Sequence, residues 1–317
     1  MSARCQTQHE IEHDSPQMSG TSPLVFRRLT LSDLETVRPF FFANKRRICD
    51  STIGNTFMWR DLITTEFAIE NDVLYLRAEL MPGNHIFAPP RSTTHPAESY
   101  IDRLLEHCHE NGEILRFFPA SGVFHDALKE RFPELHEWSD PAWSDYLYDA
   151  EDLVTLAGRR FSGQRNHINK FKRQYENWRF EKITPENLPQ VREFLVDYMR
   201  DNVKDVMWYT EGNAKALEVL DNYGLYRQLG GVLFVEDAVA GFALGEAVGD
   251  TLFVHTEKAL MEYQGAYPMI VNQYSAMYAV GDVKYINREE DDGDEGLRTS
   301  KLSYHPCMLL EKFHVEI

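Results

Sequence analysis

A stretch near the start of this chain returns in its second half. Residues 24–40 (LVFRRLTLSDLETVRPF) lie over residues 178–194 (WRFEKITPENLPQVREF) without a gap, at a constant offset of 154. Phe26/Phe180, Thr30/Thr184, Leu34/Leu188, Val37/Val191, Arg38/Arg192 and Phe40/Phe194 are identical pairs. Arg28/Lys182, Leu29/Ile183 and Asp33/Asn187 are chemically close. An internal repeat limits the architecture before any motif is read. This period is the size of a domain rather than of a solenoid unit, and 317 residues hold two such domains. The expectation is a tandem pair, 24–157 and 158–317, behind a polar, disordered tail at 1–23.

Each copy has the same local grammar. A short strand, 24–29 or 178–183, runs into a threonine, Thr30 or Thr184, placed to cap a helix. Asp33 stands at the third helical position, as in a capping box. Pro185 stands at the first, where a missing N–H costs nothing. The helices carry apolar residues at i, i+3 and i+7: Leu34, Val37, Phe41 and Leu188, Val191, Leu195. Ile69-Glu70-Asn71-Asp72-Val73 is echoed by Val235-Glu236-Asp237-Ala238-Val239, each reading as strand, two-residue polar turn and strand. The strands that follow are expected at 73–80 and 239–248. Helical stretches opened by Pro96 or Pro268 and closed by Gly112 or Gly281 lead into strands at 113–118 and 283–287. Between the copies, 146–157 is strand-like and then helical, and 158–172 reads as a helix crossing into the second copy. The order β-α-(α)-β-β-…-α-β in both halves resembles that of GNAT-like acyltransferases. The expected fold class is therefore mixed α/β, with two tandem GNAT-like domains, each a mixed central sheet flanked by helices.

A formal net charge of −17 argues against a surface that binds nucleic acid throughout, and DNA is not an expected partner, although a local basic site is compatible with it. Cys5, Cys49, Cys108 and Cys307 form no CxxC pair and no zinc-like spacing, the pattern of reduced thiols. No run approaches the roughly 18 apolar residues of a membrane span, and 1–23 lack the apolar run of a signal peptide. A soluble, cytoplasmic protein is expected. His9-Glu10-Ile11-Glu12-His13 fits HExxH but sits in a polar tail without apolar periodicity, so no metal site is expected there.

Residues 158–173 (GRRFSGQRNHINKFKR) gather Arg159, Arg160, Arg165, Lys170, Lys172 and Arg173 with no acid. They read either as a site for the phosphates of a nucleotide-like donor or tRNA, or as a solvated helix face paired with an acidic neighbour. Residues 287–296 (NREEDDGDEG) place six carboxylates in ten positions but do not fit an EF-hand. A solvated loop and an active-site loop that orders on binding both fit that composition. In the second copy, alternation puts Phe253, His255 and Glu257 on one face of 251–258, and Phe242, Leu244, Glu246 and Val248 on one face of 241–248. Glu246 thus interrupts an apolar face. A carboxylate there is a general base, an amine-binding anchor or an internally satisfied group. The matching strand of the first copy, 73–80, has no such interruption except Glu79, so the second copy is the expected seat of activity. The loop 261–268 (MEYQGAYP) stands where GNAT enzymes hold the pyrophosphate of acetyl-CoA at a helix N-terminus, but Gln264-Gly265-Ala266 lacks the usual spacing. No GxSxG, GxxxxGK[ST] or GxGxxG motif is present.

RNHINKFK (165–172), HTEKA (255–259), GAYPMIVNQY (265–274) and YINREEDDGDEGLRTSKLSYHP (285–306) together resemble a bacterial family similar to the C-terminal domain of phosphatidylglycerol lysyltransferases. The resemblance covers about residues 24–317. It implies a tandem GNAT-like fold, an aminoacyl-tRNA donor, and an amine or hydroxyl acceptor, as in the related peptidoglycan-bridge transferases. It also implies a reactive centre in the second copy. Glu246, His255 and Glu257 are then the catalytic candidates, and Asn272, Asn287, Arg288, Arg298 and Lys301 the substrate-binding ones. Arg160, Arg165, Lys170 and Lys172 are the candidates for donor phosphates. Unlike the lysyltransferases, the chain is expected to carry no transmembrane module. The expected activity is transfer of an aminoacyl or acyl group to a small-molecule acceptor, with aminoacyl-tRNA or acyl-CoA as the donor. An acyl-CoA-dependent N-acetyltransferase is an alternative. A non-catalytic small-molecule-binding module is another, favoured if Glu246 is locked in an internal ion pair.

Overall fold

A computed structural model describes residues 23–43, 46–81, 83–202 and 207–317. Most of the expected tail, with Cys5 and the HExxH pattern, lies outside the described residues. The first half contains β1 (Arg27–Arg28), α1 (Leu34–Ala43), α2 (Ile53–Trp59), β2 (Thr65–Glu70), β3 (Val73–Met81), β4 (Asn84–Phe87), β5 (Arg91–Ser92), α3 (Ile101–Asn111), β6 (Arg116–Ala120), α4 (Gly122–Arg131) and β7 (His136–Ser139). β8 (Asp145–Asp149), α5 (Ala150–Thr155) and α6 (Ser162–Gln174) follow. The order then repeats: β9 (Trp178–Lys182), α7 (Leu188–Asp201), α8 (Met207–Asp221), α9 (Tyr223–Tyr226), β10 (Leu229–Val235), β11 (Ala238–Val248), β12 (Thr251–Ala259), α10 (Ala266–Tyr278), β13 (Tyr285–Asn287), α11 (Glu295–Leu302) and β14 (Met308–Leu310). β15 (Phe313–Glu316) closes the chain.

The local rules behind these elements are visible. Thr30 and Asp33 form a capping box, with Asp33 Oδ2 accepting the Thr30 amide at 3.0 Å. In the second copy Asn187 Oδ1 accepts the Thr184 amide at 2.8 Å. There the helix begins at Leu188, so Pro185 lies in the preceding turn rather than at the first helical position. Asn71 and Asp72 both adopt left-handed φ, 49° and 59°, which is what a tight two-residue hairpin requires.

The first sheet runs β1-β2-β3-β4-β6-β15-β7, with β5 beside β3, and the second runs β9-β10-β11-β12-β13-β8-β14. The two orders correspond strand for strand. In both, the fourth strand pairs in parallel with the fifth, β4 with β6 and β12 with β13. The crossovers α3 and α10 supply the length such a connection needs. The chain is thus two tandem GNAT-like units. Sheet membership, however, crosses residue 157. β8 follows β7 yet enters the second sheet between β13 and β14, while β15 follows β14 yet enters the first between β6 and β7. Hydrogen bonding exchanges the last strand of each unit, so neither sheet is completed by its own half of the chain.

The units share a core. Leu34, Val37, Phe41 and Phe57 from the first pack in one cluster with Val191, Leu195, Val219, Phe242 and Leu244 from the second. A second cluster lies where α5, α6 and α10 cover the second sheet, and a third where α3 and α4 cover the first. Among the described residues no helix is long and apolar enough to cross a membrane.

Candidate active site between the two units

β12 and β13 pair only where Thr251–Phe253 faces Tyr285–Asn287. Beyond that, β12 continues to Ala259 and side chains fill the widening gap. Leu244 stands opposite Thr256 and Gly245 opposite Val254, which leaves His255 as the extra residue of a β-bulge. A bulge breaks alternation. Glu246 therefore pairs with Phe253, and Glu257 pairs with Ala243, three residues back along β11 and on the other face. The expectation that Phe253, His255 and Glu257 share one face is corrected accordingly. The sequence mark of the bulge is Gly245 on the facing strand, where a Cβ would lie 1.9 Å from Phe253 O.

On the face toward the first unit, His255 Nε2 donates to Glu246 Oε1 at 3.0 Å and Nδ1 to Glu289 Oε1 at 2.7 Å. Burial pulls the imidazole pKa down, but the hydrogen bonds and charges of Glu246 and Glu289 outweigh it and lift the value to about 10. At neutral pH His255 is an imidazolium with both N–H groups committed, so it cannot serve as a base. Two carboxylates and one imidazolium leave one net negative charge. Glu246 Oε1 also accepts the Gly54 amide at 2.5 Å, so α2 of the first unit completes the array. Neither Oε2, of Glu246 or of Glu289, makes a hydrogen bond among the described residues. A Cβ on Gly54 would lie 2.5 Å from His255 Nε2 and 2.7 Å from Gln228 Nε2. The Gln228 carboxamide is buried beside the array, and both its Nε2 and its Oε1 lack a partner. Glu289 itself holds a left-handed φ of 58°, a costly conformation for such a residue.

On the opposite face Glu257 accepts from Arg288 Nη2 at 2.5 Å. Arg288 is buried over the Tyr304 ring, 4.9 Å from its centroid, with Nε and Nη1 unpartnered by oxygen or nitrogen. Burial disfavours its charge, and Glu257 more than compensates. Lys301 Nζ is buried and donates to the carbonyls of Arg288, at 2.6 Å, and Glu290. The positions where Arg288 and Glu289 leave β13 thus send one side chain to each face.

A second buried cluster adjoins the array. Lys312 Nζ lies 2.7 Å from Asp50 Oδ2, 2.7 Å from Asp145 Oδ1 and 3.3 Å from Glu290 Oε2. Cys49, Asp145 and Glu290 could in principle hold a metal ion, having ligand atoms within 4.8 Å of one another. The Lys312 ammonium already sits among them, 3.3 Å from Cys49 Sγ. Burial and the carboxylates push the Cys49 thiol up. The cluster ties the loop before α2, β8, the segment after β13 and the residue before β15, where the strands are exchanged.

The remaining candidates are spread out. Asn272 Nδ2 donates to the carbonyls of Leu153 and Val154 at 3.0 and 2.8 Å. Asn287 Nδ2 donates to Arg47 O at 2.6 Å and Asp145 Oδ2 at 2.7 Å. Arg298 pairs with Asp291 at 2.8 Å. Of the donor-phosphate candidates, Arg160 pairs with Asp152 at 2.5 Å, and Arg165 donates to the carbonyls of Leu156 and Gly158. Lys170 donates to Gln264 Oε1 at 2.8 Å, and Lys172 lies over Trp178. The structure brings Glu246 and His255 together, joins Glu257 to Arg288, and leaves the basic helix on internal partners. The acidic segment divides: Glu289, Glu290 and Asp291 are engaged, whereas residues 292–296 are exposed. Gly54, Gln228, Glu289 and Lys312 were not singled out by sequence. Gly54 and Lys312 come from the first half and the C-terminus and carry no local pattern.

Residues 42–316 match the family described as phosphatidylglycerol lysyltransferase, C-terminal. A conserved protein of unknown function from Bacteroides thetaiotaomicron superposes with a TM-score of 0.84 and 29% identity, covering 93% of this chain and 99% of its own. The C-terminal domain of a putative lysylphosphatidylglycerol synthetase from Agrobacterium fabrum superposes with a TM-score of 0.64 at 11% identity, covering 90% and 91% of the two chains. An uncharacterised protein of Mycoplasmoides gallisepticum is 22% identical over 261 residues, covering 80% of this chain and 82% of its own.

Proposed function

The chain belongs to the phosphatidylglycerol lysyltransferase C-terminal family, and from that premise we propose that it transfers an aminoacyl group from aminoacyl-tRNA to an amine or hydroxyl of a small acceptor. The observation that carries this reading is the Glu246–His255–Glu289 array, with net negative charge, the Gly54 amide and the unspent Gln228 carboxamide beside it. Such an array suits a group that arrives as a cation or must lose a proton. A carboxylate with one lone-pair face open takes the proton of the attacking amine or hydroxyl as the new bond to the donor's carbonyl forms. The same carboxylate returns it to the ribose oxygen as the ester bond breaks. His255 holds the two carboxylates in place as an imidazolium rather than exchanging protons. On this reading Glu257 and Arg288, on the other face of the gap, orient the donor.

The acyl-CoA alternative is disfavoured by packing. A Cβ added to Gly265, which caps α10, would lie 2.8 Å from His167 O of α6. Lys170 and Tyr175 bind Gln264 Oε1 and Glu262 O from the same side. α6 thus covers the helix N-terminus where a pyrophosphate would sit. Thermal melting separates the donors, because a ligand that binds only the native state raises the midpoint. Charged tRNA is expected to shift the melt and acetyl-CoA at millimolar concentration to leave it unchanged; the reverse result overturns the assignment. One observation favours a second reading, a non-catalytic binding module: Glu246 is in an internal ion pair with His255. Release of labelled amino acid from charged tRNA to an acceptor would exclude it.

A further inference from the structure

At the far edge of the first sheet, His314 of β15 stands directly opposite Trp138 of β7. Val315 and Phe117 point into the core under α3 and α4, so alternation turns His314, Trp138 and Phe118 to the opposite face. There the three rings stack. Phe118 and His314 lie 4.1 Å apart at 16°, and His314 and Trp138 lie 4.0 Å apart at 4°. Trp143 closes the side of the stack at 5.2 Å from His314. Trp138, the outer ring, is 47% exposed. A cavity of about 150 Å³ opens here, lined by Asn84, Ile86, Arg116, Trp138, His314 and Glu316. A cavity of roughly that size accepts a single benzene ring.

The rim is polar and unspent. Arg116 Nε binds Glu316 at 2.6 Å and Nη1 binds Asn84 Oδ1 at 2.8 Å. Arg116 Nη2 and Asn84 Nδ2 make no hydrogen bond among the described residues, and His314 Nε2 is buried without a partner. Burial keeps that imidazole neutral, with a pKa pushed down to about 4. An apolar side chain would satisfy the stack and leave these groups bare. A flat ring with acceptors on its edge satisfies both.

We propose that this pocket binds a nucleobase, packed against the exposed part of Trp138 and read at its edge by Asn84 and Arg116. Aromatic platforms take bases of single-stranded nucleic acid in this way. The pocket and the carboxylates proposed as catalytic are linked through the protein interior. Lys312, two residues before His314, reaches Glu290, which follows Glu289. The separation is on the order of 20 Å from strand and side-chain lengths, a distance that a few nucleotides of single strand bridge. The occupant is then a base of the donor's single-stranded 3′ end; that assignment rests on the transfer reading, whereas the base chemistry does not.

The test uses the full chain and two probes, the trinucleotide CCA and ribose 5-phosphate, followed by tryptophan fluorescence. CCA is expected to bind saturably with quenching, and ribose 5-phosphate not to displace it. Trp138→Ala is expected to weaken CCA binding at least about fivefold, since a lost stacking contact has that scale, and Trp138→Phe to restore most of it. Trp138 is exposed, so neither change threatens the fold. Failure of CCA to bind, equal affinity in Trp138→Ala, or displacement by ribose 5-phosphate would overturn the proposal. If CCA binds at Trp138 but charged tRNA never donates, the transfer reading fails alone. If charged tRNA donates with an unchanged KM in Trp138→Ala, the base site fails alone.

Discussion

Replacing Gly54 by alanine isolates the contact between the two units. On local grounds the change should help, because alanine is preferred to glycine in a helix by roughly 0.5–1 kcal/mol. The site argues the other way. The new Cβ would lie 2.5 Å from His255 Nε2, 2.6 Å from its Cδ2 and 2.7 Å from Gln228 Nε2. All three distances are well inside van der Waals contact, so the imidazole or α2 must move by about 1 Å. Overpacking of this kind costs about 1–3 kcal/mol. Moving His255 also loosens hydrogen bonds to charged partners, each worth roughly 1.5–3 kcal/mol. The clash is therefore expected to win, with a net loss of about 1–3 kcal/mol read by chemical denaturation. Histidine NMR titration should show the His255 pKa falling. Gly163→Ala is the control. It lies in α6, and a Cβ there meets nothing within 4 Å, so it should be neutral or slightly stabilising. A Gly54→Ala protein as stable as the parent, with His255 still charged at pH 8, would refute the reasoning.

Three further outcomes follow from the geometry. The folded pKa of His255, about 10, exceeds the unfolded value of roughly 6.5. Its contribution is complete below about pH 6.5 and is lost as pH rises toward 10, by up to roughly 4–5 kcal/mol. Denaturation from pH 6 to 10 should show that fall, and Glu289→Gln should flatten it. Lys312→Met removes the cation from a buried carboxylate cluster and should cost about 3–5 kcal/mol. The cost should be largest near pH 8 and shrink toward pH 5, as the stranded carboxyls take up protons, again read by denaturation. Asn272→Ala removes two hydrogen bonds to the carbonyls at the end of α5 and should cost about 1–2 kcal/mol, while donor KM stays unchanged. A raised KM would return Asn272 to the substrate site.

The doubled architecture was legible because both copies keep the same cap, the same helix face and the same tight hairpin, all short-range signals. The strand exchange was not. β8 and β15 are short segments whose partners are chosen by long-range pairing, and nothing in residues 145–149 or 313–316 says which sheet they join. Glu246 and His255 could be found from the interruption of an apolar strand face. Glu257 was placed on the wrong face because the bulge at His255 shifts alternation, and its one sequence mark, Gly245 on the facing strand, where a Cβ would lie 1.9 Å from Phe253 O, was not read as such. Glu289 was hidden in a run of six carboxylates, only some of which are engaged. Gly54, Gln228 and Lys312 reach the site from elements remote in sequence, where composition carries no information about contact. The basic helix was conspicuous by charge, yet four of its cations are occupied by a carboxylate, carbonyls, an amide and an aromatic ring.

The most direct test is single-turnover transfer of a labelled amino acid from charged tRNA by the parent protein, Glu246→Gln and Glu289→Gln, each first shown to be folded. Base catalysis of this kind is worth about 10²–10⁴ in rate. Loss on that scale in at least one variant, with tRNA binding retained, is the result the account predicts. Transfer at the parent rate in both would contradict it.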